Sequence, residues 1–365
     1  MLNRRIGVFT VLLLAVIILA PGFAFGEEHS GKDYYVVYDD ETGEEIFATS
    51  WQVSLADRYI STDNKLYEVV KVNTEEFKAY AHYVQTIQLP EVDEIFVEET
   101  FNTAQKGKKI GLYFSHSAES YVPTDGTDSK PGNGGIFRVG EAFRNGLEKN
   151  GIEVILDKTP HDPHDANAYV RSRRTATKLL KERLDAIFDI HRDAIPKEYY
   201  IDEIDGKPVT KVRIVLGRRN QNLNANEQLA FKIKAVADKM YPGFARDIYY
   251  ARGNYNQDLA PRALLFEFGT HEHTRERAEN SAALFADVVA KALYGGETPE
   301  GTRVRAEQQE SKGAGSGMLW VLALAGLGGL GFLFLSTGGK EFRSKAGKFA
   351  KKEFGSFLGR IKRKK

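Results

Sequence analysis

The chain has 365 residues, of which 42% are hydrophobic, 28% charged and 11% aromatic; this excludes a disordered or collagen-like chain and leaves room for one sizeable core plus a smaller module. It contains no cysteine, so disulfides, iron–sulfur clusters, thiolate zinc sites and cysteine nucleophiles are excluded, and any metal must be held by His, Asp or Glu. The net charge of +1 conceals two basic ends: residues 27–317 hold 38 basic and 48 acidic side chains, a net −10 that argues against nucleic-acid binding.

Residues 1–26 read as an export signal. Arg4 and Arg5 precede the apolar run 6–20, Pro21 breaks the helix, and Ala24-Phe25-Gly26 offers small residues for cleavage. An uncleaved anchor is the alternative, and either reading puts the following residues outside the cytoplasm. Residues 33–90, within a module bounded at 27–100, are rich in Tyr, Val, Ile and Thr. Strands are predicted over 34–38, 45–50, 58–62 and 66–72, with turns at Asp-Glu-Thr-Gly and Asp63-Asn64-Lys65. They describe a small β module of four or five strands with no catalytic constellation of its own; a plain structural role is expected, with wall binding or scaffolding as the alternative. Residues 91–107 read as a linker.

Residues 105–296 alternate strand-like and helix-like patterns. Strands are predicted at 109–115, 153–156, 185–190, 212–216 and 263–268, and helices around Ile136–Leu147, 166–183, 224–240 and 274–293. This order predicts an α/β domain with a mostly parallel sheet and helices on both faces, its chemistry beyond the carboxyl ends of the strands. A Gly/Ser-containing linker, 297–317, leads to a second apolar run. Residues 318–337 carry no charge, and a 20-residue helix rises about 30 Å, enough to span a membrane. Residues 338–365 hold 11 basic and 2 acidic groups, which places that tail in the cytoplasm by the positive-inside rule. Its Phe342, Phe349, Phe354 and Phe357 spacing suits a helix lying on the anionic inner leaflet. The expected location is therefore the cell membrane, single-pass, with the α/β domain extracytoplasmic.

The informative residues sit at strand ends. The first strand of the α/β domain runs into His116-Ser-Ala-Glu119, the third into His191-Arg192-Asp193, and the last contains Glu267 between Phe266 and Phe268. Two His and one Glu fill three positions of a zinc site, and a remaining Glu can serve as general base for hydrolysis of an amide. Each element is weak alone, since H-x-x-E occurs by chance and a strand-end His is usually a satisfied surface or core residue. Glu267 is less bland, because a buried carboxylate needs a partner.

At these residues the chain resembles the stage II sporulation protein P family over residues 108–294. The resemblance rests on His116-Ser-Ala-Glu119-Ser-Tyr121, His161-Asp162 with Tyr169 and Arg171-Ser-Arg173, and Asp189-Ile-His191-Arg192-Asp193. It continues through Gly217 with Asn220-Gln-Asn222, Met240-Tyr-Pro-Gly243, Tyr255-Asn-Gln257-Asp258 and Leu265-Phe-Glu267-Phe-Gly269. The family is similar to zinc-dependent N-acetylmuramoyl-L-alanine amidases, so the resemblance implies a membrane-anchored peptidoglycan hydrolase. It would cut the amide between N-acetylmuramic acid and L-alanine, with cross-link endopeptidase activity besides, and act alongside other wall-remodelling sporulation proteins. In the family the first motif reads His-Thr-His; here Phe114 stands at its first position. The family is usually anchored by an N-terminal helix, whereas the apolar run with a basic tail is C-terminal here.

Carried onto this sequence, the resemblance makes His116 and His191 zinc ligands and Glu267 the catalytic base. Glu119 is the expected third ligand and Glu141 its competitor. Arg192 is expected to clamp a substrate carboxylate or stabilise an oxyanion, with an ion pair to Asp193 or Asp189 as its structural alternative. Asn220 and Gln257 are expected to hydrogen-bond substrate, with turn-forming roles as the alternative. His161, His164, His271 and His273 are expected around the site or in solvent, and His29 and His82 outside it. Two competing functions remain. A zinc carboxypeptidase-like enzyme would need Arg192 or Arg171 as a clamp for a free carboxylate, and a wall-binding scaffold would need no chemistry at all.

Overall fold

The computed structural model describes residues 34–93 and 107–295. The expected export signal, most of the linkers, the expected membrane span and the basic tail lie outside these residues. Among the described residues no helix is long and apolar enough to cross a membrane.

The elements follow in the order β1 (Tyr35–Asp39), β2 (Glu45–Thr49), β3 (Arg58–Ile60), β4 (Lys65–Asn73), β5 (Lys78–Thr86), β6 (Lys109–Tyr113), the single turn α1 (Val122–Asp125), α2 (Ile136–Lys149), β7 (Glu153–Leu156), α3 (Ala168–Leu180), β8 (Ala186–Asp193), the hairpin β9 (Ile201–Ile204) and β10 (Lys207–Thr210), β11 (Val212–Gly217), α4 (Leu223–Met240), β12 (Ala245–Ala251), β13 (Ala263–Thr270) and α5 (Arg275–Tyr294). One 11-stranded sheet runs β2-β1-β5-β4-β3-β12-β11-β13-β8-β6-β7. In the part of this sheet built by residues 107–295, β6, β7, β8 and β13 run one way and β11 and β12 the other, so β11 meets β13 antiparallel; the β9–β10 hairpin forms a separate two-stranded antiparallel sheet.

The five N-terminal strands do not form a separate module in front of this sheet, as the composition suggested. β3 pairs with β12 and continues it. The far strand β2 then returns over the sheet face, because Phe47 stacks on Tyr59 at 4.0 Å and packs against Tyr249 of β12 at 5.5 Å. β5, the β9–β10 hairpin and β12 have no counterpart among the strands bounded from the sequence pattern. In β12 the apolar run is broken by Arg246 and Asp247, which are buried as an ion pair at 3.1 Å.

Strand alternation sorts side chains between the two faces. Phe188 and Ile190 of β8, Ile214 of β11 and Phe266 and Phe268 of β13 meet the apolar stripes of α2, α4 and α5 in the main core. In α2 that stripe is Ile136, Val139, Phe143 and Leu147, a spacing of three to four residues that keeps one face inward. Gly151, at φ +73°, takes the left-handed conformation just beyond the helix end, where a Cβ would be strained. The intervening positions, His191 of β8, Arg213 of β11 and Glu267 of β13, face the opposite side. There α3 and the aromatic residues of the N-terminal strands cover them. Among the described residues helices therefore lie on both faces, α2, α4 and α5 on one and α3 on the other.

Candidate active site

β6, β8 and β13 are neighbours in the sheet, and their equivalent ends bring the expected ligands together. The β8 strand is longer than its apolar run, so His191, Arg192 and Asp193 lie inside it rather than beyond its end. His116 and Glu119 come from the loop after β6. That loop is laced to β8: Asp189 accepts the Ser115 N–H at 2.8 Å and also the Ser115 hydroxyl, and Glu119 Oε2 accepts the Arg192 N–H at 2.9 Å. His161 supports it from the other side. Its Nδ1–H donates to Phe114 O at 2.7 Å, its Nε2 lies 2.8 Å from the Thr175 hydroxyl, and its backbone N–H donates to Ser117 Oγ at 2.8 Å.

One ligand atom from each of His116, Glu119 and His191 lies within 4.8 Å of the others, and all three residues are buried. Glu119 Oε1 is 3.4 Å from His116 Nδ1 and 3.2 Å from His191 Nδ1, and the two imidazole rings are 4.9 Å apart. The rings converge on a common point. Burial disfavours the charged form of His191, but the carboxylates of Asp189 and Glu119 outweigh it and hold the pKa well above the ordinary imidazole value. Two imidazoles and a carboxylate, converging and surrounded by acidic oxygen, fit a divalent cation of the zinc type. An ion there would replace the proton that the two carboxylates otherwise favour. Glu141, the competing ligand, is elsewhere: it pairs with Lys158 at 2.8 Å and Arg138 at 3.0 Å on the outer surface of α2.

Glu267 lies opposite His191 in the β8–β13 register, so its side chain shares the face of the cluster. It is fully buried and accepts hydrogen bonds from Trp51 Nε1 at 2.5 Å and the Tyr200 hydroxyl at 2.9 Å, with Arg213 Nη1 at 3.6 Å. Behind it, Arg213 joins Asp193 at 2.9 Å and Asp247 at 2.7 Å. Aromatic rings wall the site: Tyr169 lies parallel to His191 at 6.2 Å and edge-on to His116 at 5.1 Å, and His164 stacks on His116 at 4.0 Å.

The expected substrate-binding residues are placed differently. Arg192 donates to the main-chain carbonyls of Ser120, Asp128 and Asp193, and so ties down the loop that carries Glu119. Gln257 brackets β11, accepting from Gly217 N at 2.8 Å and donating to Val215 O at 2.8 Å, while Asn220 donates to Gly217 O at 2.6 Å. Because β11 runs against β13, Gly217 lies at the other end of the sheet, about 13 Å along the strand from the Arg213–Glu267 pairing. Asn220 thus fits its turn-forming alternative, Gln257 spans two residues of β11, and Arg192 bonds main-chain carbonyls where its structural alternative named the carboxylates of Asp193 or Asp189. Trp51 and Tyr200 were not singled out in the sequence. The only signal for Trp51 was an aromatic residue ending a strand, and nothing local marks Tyr200. His82 lies on β5, 3.1 Å from Asp40.

A profile of the Stage II sporulation protein P (SpoIIP) family matches residues 36–290, which includes the N-terminal strands. Stage II sporulation protein P of Bacillus subtilis (strain 168) is 30% identical over 224 residues, 56% of this chain and 55% of that protein, so the chain spans about half the length of that curated relative. Among solved structures, the N-acetylmuramyl-L-alanine amidase Ami1 from Mycobacterium smegmatis is 15% identical, with 52% of this chain and 96% of that chain covered at a TM-score of 0.34. The CwlD amidase from Clostridioides difficile, in complex with the GerS lipoprotein, is 15% identical with 52% and 95% covered at a TM-score of 0.31. By the extent of the family match, this chain is a member of the Stage II sporulation protein P family.

Proposed function

We propose that this protein is a zinc-dependent peptidoglycan hydrolase that cleaves the amide between N-acetylmuramic acid and the L-alanine of the stem peptide. The observation that carries the reading is the convergence of His116, Glu119 and His191 within 4.8 Å, with Glu267 in register beside His191. His116, Glu119 and His191 would hold the ion, which when bound supplies Lewis acidity toward water and the scissile carbonyl. Glu267 takes a proton from the attacking water and delivers it to the departing alanine nitrogen as the C–N bond breaks. The low-dielectric surroundings favour this transfer, since a buried carboxylate is poorly solvated and its interactions are strong.

Family membership supports this choice of substrate, and the proposal extends to its setting. The α/β domain would act outside the cytoplasm, tethered by residues 318–337 with the basic tail inside, and would work with other wall-remodelling proteins of sporulation. The carboxypeptidase reading is weaker on this geometry. Its two clamp candidates are engaged by main-chain carbonyls, Arg192 as above and Arg171 by His161 O at 2.7 Å, with a further contact to Asp165 at 2.6 Å.

The test is digestion of purified peptidoglycan by the full chain in detergent, with and without chelator, followed by mass analysis. New L-alanine amino termini, lost on chelation and in Glu267→Gln, support the amidase reading. Cut cross-links point to the endopeptidase, and released C-terminal residues to the carboxypeptidase. Wall binding without cleavage would leave the scaffold.

A further inference from the structure

We propose that Trp51, supplied by the N-terminal strands, is a positioning residue for Glu267, so that those strands are part of the active centre rather than an appendage to it. The inference rests on the reading of Glu267 as the base. Its ground is the path of the chain. β2 is an edge strand of the sheet, seven places away from β13 in the pairing order, with β1, β5, β4, β3, β12 and β11 between them, yet the residues just after it lie against β13 and β8. Ser50 fastens that return: its hydroxyl donates to Asp193 Oδ1 at 2.7 Å and its backbone N–H at 3.2 Å. Ala48 O accepts from Arg213 Nη2 at 2.9 Å. Trp51 is then aimed at Glu267 Oε1, while Tyr200 reaches Oε2.

A buried tryptophan commonly satisfies its N–H on any nearby acceptor, so burial alone would be a packing role. Two features argue for more. First, the final torsion of a glutamate is broad, so the carboxylate plane is set by what binds its oxygens. Trp51 and Tyr200 supply a donor to each oxygen, from chain segments far apart in sequence. Second, the indole edge belongs to the same aromatic wall as the ligand rings. Trp51 meets Tyr255 edge-on at 5.0 Å and Tyr169 at 6.4 Å, and Tyr169 is the ring parallel to His191. The indole N–H can only donate, so it favours the charged, proton-accepting form of Glu267. Tyr200 complements it, since its hydroxyl oxygen lies 2.9 Å from Glu267 Oε2 and 3.0 Å from Asp193 Oδ2, and its single proton can serve either acceptor. It can turn toward Asp193 when Glu267 has taken up a proton.

The test uses the full chain loaded with zinc. Trp51→Phe keeps the ring contacts and removes the N–H; kcat on peptidoglycan should fall about 10- to 100-fold, the range for a hydrogen bond to a charged group, while KM and zinc stoichiometry stay at the wild-type values. The same substitution in a Glu267→Gln background should cost nothing further. A second readout is independent of turnover. The chain has two tryptophans, Trp51 and Trp320, so Trp320→Phe leaves one indole N–H resonance, which Glu267→Gln should move upfield. A kcat within twofold of wild type in Trp51→Phe, or an indole resonance indifferent to Glu267→Gln, overturns the proposal. A wild-type chain that leaves peptidoglycan intact overturns the hydrolase reading and the catalytic purpose of the contact together. That case is recognisable because the indole resonance still responds to Glu267→Gln.

Discussion

Arg213 is the residue whose removal should cost the fold most. It is fully buried, and its guanidinium reaches Asp247 through Nε at 2.7 Å and Nη2 at 3.1 Å, Asp193 through Nη1 at 2.9 Å and Ala48 O through Nη2 at 2.9 Å. Burial opposes its charge, but Asp247, together with Tyr200, Asp193 and Glu267, outweighs that and raises its pKa well above the ordinary guanidinium value. A base with a raised folded pKa contributes stability at every pH below its unfolded pKa. For an arginine that covers the whole working range, so the contribution does not vary with pH there. Arg213→Met preserves much of the volume and leaves Asp193 and Asp247 without this guanidinium. Breaking a buried pair by removing one partner costs about 3–5 kcal/mol. In a domain of this size each kcal/mol moves the unfolding midpoint by about 2–4 °C, so a drop on the order of 10 °C is expected. Arg213→Lys keeps the charge but not the planar fork, and should fall between the two. Thermal unfolding followed by circular dichroism reads the effect. A loss below about 1 kcal/mol in Arg213→Met would show that the N-terminal strands are not tied to the sheet by this cation.

Glu119→Ala should lose bound zinc on dialysis, whereas Glu141→Ala should retain it; metal analysis of both variants decides the third ligand, and equal zinc contents would refute the assignment. Gly134→Ala should weaken zinc binding about 10- to 100-fold, because a Cβ there would sit 2.5 Å from Glu119 O and 2.7 Å from Ala118 C and push the ligand loop aside. Competition with a chromophoric chelator reads that loss, and affinity within twofold of wild type would contradict it. Burial, then the Arg277 charge, depresses the pKa of His273 from 6.5 to about 4. Between those values the unfolded chain binds more protons, so stability falls as pH drops from about 6.5 toward 4. His273→Gln should flatten that part of a denaturation-midpoint profile, and an unchanged slope would assign the loss to other groups.

Periodicity revealed the helices well, because α2, α4 and α5 each carry an apolar stripe that has to face one core. The strands β6, β7, β11 and β13 were legible for a related reason: short apolar runs with turn signals. β12 was not, since its buried Arg246 and Asp247 mimic a surface segment until Arg213 and the carboxylate partners are seen beside them. His116, Glu119, His191 and Glu267 could be proposed from their residue types at strand ends. The roles of Arg192, Asn220 and Gln257 could not, because they depend on strand direction and on carbonyls brought in by other loops.

The sequence by itself determined the chemistry on offer: no thiol, two imidazoles and two carboxylates in strand-associated positions, and helices whose apolar faces demand a sheet. Only the tertiary structure decided that the N-terminal strands share the site. Pattern along a strand specifies which face a side chain takes, but not what covers that face. Here the covering strand arrives from more than 200 residues away, as the 216-residue separation of Trp51 and Glu267 records, and delivers an indole donor to a buried carboxylate.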